Sequence, residues 1–205
     1  MILRDLGFDS DKAVAGLTCD SREVKPGYVF AALPGTVTDG RKYIENALEK
    51  GASAILSTKG LDLPVPYIGS DEPRLDYAKM AAALFAGQPE VLVAMTGTNG
   101  KSSTVEFLRQ IWAYAGKQAA CFGTLGVQAP KGYRPLTHTT PDAVALHKTL
   151  SELTEEGVTH AAMEASSHGL DQYRLDAVQV KASGFTNLTQ DHFDYHETPE
   201  NYFMA

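Results

Sequence analysis

An apolar run, Val91-Leu92-Val93-Ala94-Met95, empties into Thr96-Gly97-Thr98-Asn99-Gly100-Lys101-Ser102-Ser103, and a helical pattern follows. This order constrains the chain more than any other feature, because a buried strand must turn at once into a helix. Gly97 and Gly100 let the backbone bend so that successive amide N–H groups face one point. Phosphate suits that point. Lys101 adds a mobile positive charge, Ser102 a hydroxyl for Mg2+, and the helix from about Ser102 its positive end. Strict Walker A spacing would put glycine where Met95 stands, so the loop is a variant of that motif. The alternative for the same residues is a solvated turn ahead of a helix.

Around this loop the pattern alternates. A helix over 102–115 stops at Gly116, a strand follows near 118–122, and a second helix over 141–156 takes Thr140 as N-cap and Pro141 as first residue. Strands near 159–163 and 178–186 complete the series, which predicts a mainly parallel sheet wound on both faces. Upstream, short apolar runs at 28–33, 52–56 and 65–68, a helix over 41–50 closed by Gly51, and a helix from 72 to 85 predict a small α/β domain. Gly87-Gln88-Pro89 ends that helix and marks the boundary, giving domains 1–88 and 89–205. The fold class is α/β: a small N-terminal domain, then a P-loop nucleotide-binding domain.

Ligands of such sheets collect beyond the carboxyl ends of the strands, and polar residues fall there. Thr96 to Ser102 follow one strand, Glu164 to His168 another, and Asn187 to His192 a third. Glu164, at the end of an apolar strand, is placed to hold the Mg2+ of a bound nucleotide. His192 and His196 share a four-residue spacing that also suits a zinc pair on a helix. No HExxH accompanies them, and magnesium work is the preferred reading for His192, with a structural role for His196.

The formal charge of −7 and the absence of a Lys/Arg block argue against nucleic-acid binding. Cys19 and Cys121 form no CxxC pair, which fits a reducing cytoplasm. No long apolar stretch marks a signal peptide or a membrane span.

Further signs are Asp20-Ser21-Arg22, Gly27 to Ala32, Gly35, Asp39-Gly40-Arg41, Thr139-Thr140-Pro141, Glu164 to Leu170, and Phe185 through His196. With the phosphate loop they make the chain resemble, nearly end to end, the first part of a Mur ligase. The similarity is to the members that add the third amino acid to UDP-N-acetylmuramoyl-L-alanyl-D-glutamate. The loop by itself is shared with folylpolyglutamate synthetase, which stands as an alternative beside a noncatalytic nucleotide-binding module and a zinc hydrolase.

The resemblance implies ATP-dependent peptide-bond synthesis through an acyl phosphate, in a cytoplasmic enzyme that is monomeric at full length. Its partners would be UDP-N-acetylmuramoyl-dipeptide, ATP with Mg2+, and diaminopimelate or lysine. Thr96, Gly97, Thr98, Asn99, Gly100, Lys101, Ser102 and Ser103 would contact ATP. Ser102 and Glu164 would hold one Mg2+, His192 would help hold a second, and Lys101, Glu164 and His192 would be catalytic. Cys19, Ser21, Thr36, Val37 and Thr38 would meet the UDP end; Thr139, Thr140, Ser166, Gln172 and Arg174 would face the muramoyl peptide. Thr36-Val37-Thr38 departs from the family's usual His-Gln-Ala-like turn, and Ser102 replaces a common threonine. The resemblance also places a carbamylated lysine just after Ala205 and a third domain beyond it, so these residues by themselves are expected to lack ligase turnover.

Overall fold

A computed structural model describes residues 1–35, 38–136 and 138–205; Thr36 and Val37, two of the expected UDP contacts, lie outside the described residues. The chain divides into two compact units, Met1–Phe85 and Ala86–Ala205.

In the first unit a 3-10 turn at Leu3–Leu6 precedes β1 (Gly16–Thr18) and β2 (Tyr28–Ala31). A second 3-10 turn at Gly40–Tyr43 runs into α1 (Ile44–Glu49), followed by β3 (Ala54–Thr58), β4 (Tyr67–Ser70) and α2 (Pro73–Leu84). The sheet order is β1-β2-β3-β4 and every pairing is parallel. Phe30, Ile55, Ile44 and Ala47 form its core with Val24. Strand β1 escaped the sequence reading because three residues, all buried, carry no alternation to detect.

The second unit contains β5 (Val91–Thr96), α3 (Lys101–Tyr114), β6 (Ala119–Gly123), β7 (Gly126–Ala129), β8 (Gly132–Arg134), α4 (Ala143–Glu155) and β9 (His160–Glu164). Helix α5 (Ser167–Asp171), β10 (Ala182–Phe185), α6 (Phe193–His196) and α7 (Pro199–Met204) follow. The sheet order is β10-β5-β9-β6-β7-β8. The first four strands are parallel, and β7 and β8 add an antiparallel hairpin that sequence patterning did not separate from loop.

Period-two alternation splits the sheet's faces. Leu92, Ala94, Ala120, Phe122, Ala161 and Met163 pack with Leu146, Leu150 and Leu153 of α4. Cys121 and Ala162 pack with Val105 of α3 on the other face. The expected doubly wound arrangement is therefore present, and each of the three α4 leucines contributes about 2 kcal/mol by burial. Burial and the nearby Glu106 carboxylate push the Cys121 thiol up to about 12, so it behaves as an inert core residue. Cys19 is exposed.

The start of β10, at Ala182 where the sequence reading began a strand near 178, and the start of α4 both differ from expectation. Helix α4 begins at Ala143, and its N-cap is Asp142, whose Oδ1 accepts from the Val144 and Ala145 amides at 2.9 and 3.1 Å. Thr140 is not the cap, because its hydroxyl is spent on the end of β9. Asp142→Ala should cost about 1 kcal/mol, measurable by urea unfolding. Among the described residues no helix is long and apolar enough to cross a membrane.

Candidate functional site

The connection after β5 crosses β9 to reach β6, whereas the chain after β9 recrosses β5 to reach β10. The carboxyl ends of the adjacent strands β5 and β9 thus feed loops in opposite directions, the topology that opens a ligand crevice in α/β sheets. Thr96 ends β5 and Glu164 ends β9, with Met95 paired to Glu164 across the ladder.

The phosphate loop is braced from one side by the segment after β10. The Thr98 amide donates to Asn187 O at 2.9 Å and the Asn99 amide to Asn187 Oδ1 at 3.1 Å. Thr186 Oγ1 and Asn187 Nδ2 donate to Asn99 O at 2.7 and 3.0 Å, and the Thr189 amide donates to Thr98 Oγ1 at 2.9 Å. Tyr202 OH lies 3.1 Å from the same Thr98 hydroxyl. The amides of Thr98 and Asn99 are thus hydrogen-bonded within the protein. The first turn of α3, from Lys101 to Ser103, carries amides with no intrahelical carbonyl to meet, an arrangement that suits an anion. Lys101 Nζ donates to Gly97 O at 2.5 Å and to Thr98 O at 3.0 Å, curling over the loop.

Glu164 is 2% exposed. Among the described residues its carboxylate is met by Thr124, whose amide donates to Oε1 at 2.9 Å and whose hydroxyl donates to Oε2 at 3.2 Å, and by no lysine or arginine. Gly123 makes the room, since a Cβ there would run into the Glu164 side chain. Ala162 and Glu164 share the sheet face that carries α3, so the carboxylate and Ser102 lie on one face at one end of the sheet. Hard oxygen donors of this kind fit a magnesium ion that completes its shell with phosphate oxygens and water.

Thr96, Gly97, Lys101, Ser166 and His192 line one cavity of about 180 Å³, together with Leu170, Phe185, Leu188 and Tyr202. Glu164, Ser102 and Ser103 do not line it. His192 is the N-cap of α6, with Nε2 3.5 Å from Asp191 Oδ2 and its ring edge-on to His168 at 4.7 Å. His196 is buried with Nε2 2.9 Å from Ser167 Oγ. Burial, then the neighbouring His192 and His196, hold His168 below the usual imidazole range. Among the described residues no group of three or more His, Cys, Asp or Glu is placed to hold a metal ion, so the zinc reading lacks a ligand set.

The residues expected to face a muramoyl peptide form one network. Thr140 Oγ1 donates to Glu164 O at 3.1 Å and receives the Ser166 amide at 3.0 Å. Arg174 donates from Nη1 to Thr140 O at 2.7 Å and from Nη2 to Gln172 Oε1 at 2.7 Å. Thr139 Oγ1 lies 3.0 Å from Thr124 Oγ1. Of the set expected at the UDP end, Cys19, Ser21 and Thr38 follow β1 and β2 in the first unit. Asp20 and Asp39 each accept the amide two residues on, at 2.9 Å, and pair with the same arginine, so both Asp-x-Arg signs are local turn clasps. Thr124 and Gly123 were not singled out from sequence as site residues, and Asn187 was named only as the start of the loop after β10. The rule applied to the ends of β5, β9 and β10 would have found the first two at the end of β6.

Residues 95–205 match the Mur ligase middle domain and residues 13–98 the Mur ligase family catalytic domain. The chain is 52% identical, over 94% of its length and 40% of the relative's, to the UDP-N-acetylmuramoyl-L-alanyl-D-glutamate--2,6-diaminopimelate ligase of Rhizobium meliloti (strain 1021). It is 53% identical, over 100% of its length and 45% of the relative's, to the ligase of the same name from Mesorhizobium japonicum. A solved structure of a ligase of that name superposes with a TM-score of 0.85 at 29% identity, covering 98% of this chain and 43% of the other. A MurF ligase from Thermotoga maritima in complex with ADP shares the fold, with a TM-score of 0.58 at 20% identity over 92% of this chain and 41% of its own. The chain spans 40–45% of the length of these two curated relatives.

Proposed function

This chain belongs to the Mur ligase family, and on that premise we propose that the protein carrying it joins 2,6-diaminopimelate to UDP-N-acetylmuramoyl-L-alanyl-D-glutamate in peptidoglycan synthesis, at the expense of ATP. The choice of amino acid follows the relatives at 52% and 53% identity. The observation that carries the reading is the meeting, at the carboxyl ends of the adjacent strands β5 and β9, of a lysine-bearing loop and a buried carboxylate that has no cationic partner among the described residues.

In the proposed reaction a carboxylate oxygen of the substrate attacks the γ-phosphorus and the bond to ADP breaks. The amine of the incoming amino acid then attacks the acyl carbon, loses a proton, and phosphate leaves. Every oxygen group involved is anionic, so the site must offset their repulsion. Lys101 and the first-turn amides of α3 would do so at the phosphates, with Thr96, Gly97 and Gly100 shaping the approach. Ser102 and Glu164 would hold one Mg2+ and His192 would help hold a second, supplying positive charge across the phosphoryl oxygens. Thr139, Thr140, Ser166, Gln172 and Arg174 would orient the muramoyl peptide. Because Arg174 already donates to Thr140 and Gln172, a substrate anion must share or exchange those contacts. Cys19, Ser21 and Thr38 are assigned to the uridine end.

The test is isotopic. With both oxygens of the acceptor carboxylate labelled by 18O, the protein carrying these residues should yield tripeptide and phosphate that bears one labelled oxygen. Unlabelled phosphate would overturn the acyl-phosphate route, and extension of a folate in place of the muramoyl dipeptide would move the assignment to folylpolyglutamate synthesis.

A further inference from the structure

We infer that Thr124 is a positioning residue for Glu164, the last link of a directed hydrogen-bond chain that starts at Thr139. The inference rests on the proposed role of Glu164 toward a divalent cation. An ionised carboxylate accepts hydrogen bonds and cannot donate them. Thr124 Oγ1 therefore spends its single hydrogen on Glu164 Oε2 at 3.2 Å, while the amide of the same residue holds Oε1 at 2.9 Å. With that hydrogen committed, the 3.0 Å contact between the two threonine hydroxyls has one direction open to it: Thr139 donates and Thr124 accepts. The order of donation is Thr139, Thr124, Glu164.

Two consequences follow from this order. Holding both oxygens at once fixes the carboxylate plane before any cation arrives, and a partner of that kind commonly governs metal affinity. Gly123 is part of the same device, since any side chain there would displace the carboxylate from Thr124. The second consequence concerns ligand choice. Thr139 has given away its hydrogen, so it offers a ligand lone pairs only. It takes an N–H or O–H of the substrate, such as an amide or a sugar hydroxyl, and disfavours a carboxylate.

Mn2+ binding to the full-length protein that carries this chain, read by electron paramagnetic resonance with a non-hydrolysable ATP analogue present, tests this. Thr124→Val keeps the amide and the side-chain volume but removes the hydroxyl, and should weaken Mn2+ binding by about 10- to 100-fold. Thr124→Ser should restore it, and Glu164→Gln should weaken it as well. Native affinity in Thr124→Val beside weak binding in Glu164→Gln would overturn the positioning role while leaving the metal reading of Glu164 intact. Native affinity in Glu164→Gln, or no Mn2+ binding by the unaltered protein, would overturn the metal reading itself. Should Thr124→Val unfold, Thr139→Val removes the first donor without touching the carboxylate. A several-fold loss of affinity is expected there, and no loss would refute the directed chain.

Discussion

Lys101→Ala should lower ATP-dependent ligation by the protein carrying this chain by about 100- to 1,000-fold, the usual cost of removing one preorganised donor from a developing anionic charge. The lysine does two things. Its ammonium group holds the loop closed through Gly97 O and Thr98 O, and it opens the first turn of α3, the proposed phosphate site. Losing the two loop contacts should cost about 1 kcal/mol of stability, because the ammonium is only part-buried and water replaces part of what it gives. The loss of rate should therefore far exceed the loss of stability. Initial rates at saturating ATP, set beside urea unfolding of the same preparations, separate the two. A variant that keeps a tenth or more of native turnover would remove the phosphate-loop assignment.

Gly97→Ala should be among the most damaging single-methyl changes in the second unit. Gly97 sits at φ +119, where an L side chain is strained, and its missing Cβ would run into Thr186 Oγ1 and lie 2.8 Å from Asn187 O. Backbone strain and overpacking together predict a loss of about 3 kcal/mol. The neighbours cannot relax cheaply, because Thr186 and Asn187 are themselves bonded to Asn99. Thermal unfolding should fall by about 10 °C or more. Gly116→Ala is the control, since its φ of +76 carries strain but a Cβ there would meet nothing within 4 Å. Equal losses at both positions would show that the close approach to the β10 loop contributes nothing.

The alternation of strand and helix, the phosphate loop and the carboxylate at the end of β9 were all legible in the residues, because each is a local pattern. An apolar run of fixed length, a glycine turn and a helix start need only neighbours in sequence to be recognised. The hairpin β7–β8 was not legible: it is short, its outer strand is largely exposed, and it is recruited by β6 through pairing that crosses turns. The helix cap at Asp142 was misplaced for a related reason. Thr140 and Asp142 are equally good caps by residue type, and only the distant demand of Glu164 O and Ser166 N for the Thr140 hydroxyl decides between them.

The same division holds at the site. The amino-acid order by itself determined that a phosphate-type loop follows β5, that Lys101 and Ser102 open the next helix, and that Glu164 closes an apolar strand, since those facts are properties of contiguous residues. Only the tertiary structure decided how the loop is braced, because Thr98 and Asn99 donate their amides to Asn187, nearly ninety positions further along the chain. It also decided how Glu164 is aimed. The carboxylate takes its orientation from Thr124, forty residues away in sequence. A hydrogen bond between side chains that far apart leaves no periodic trace in the chain that makes it.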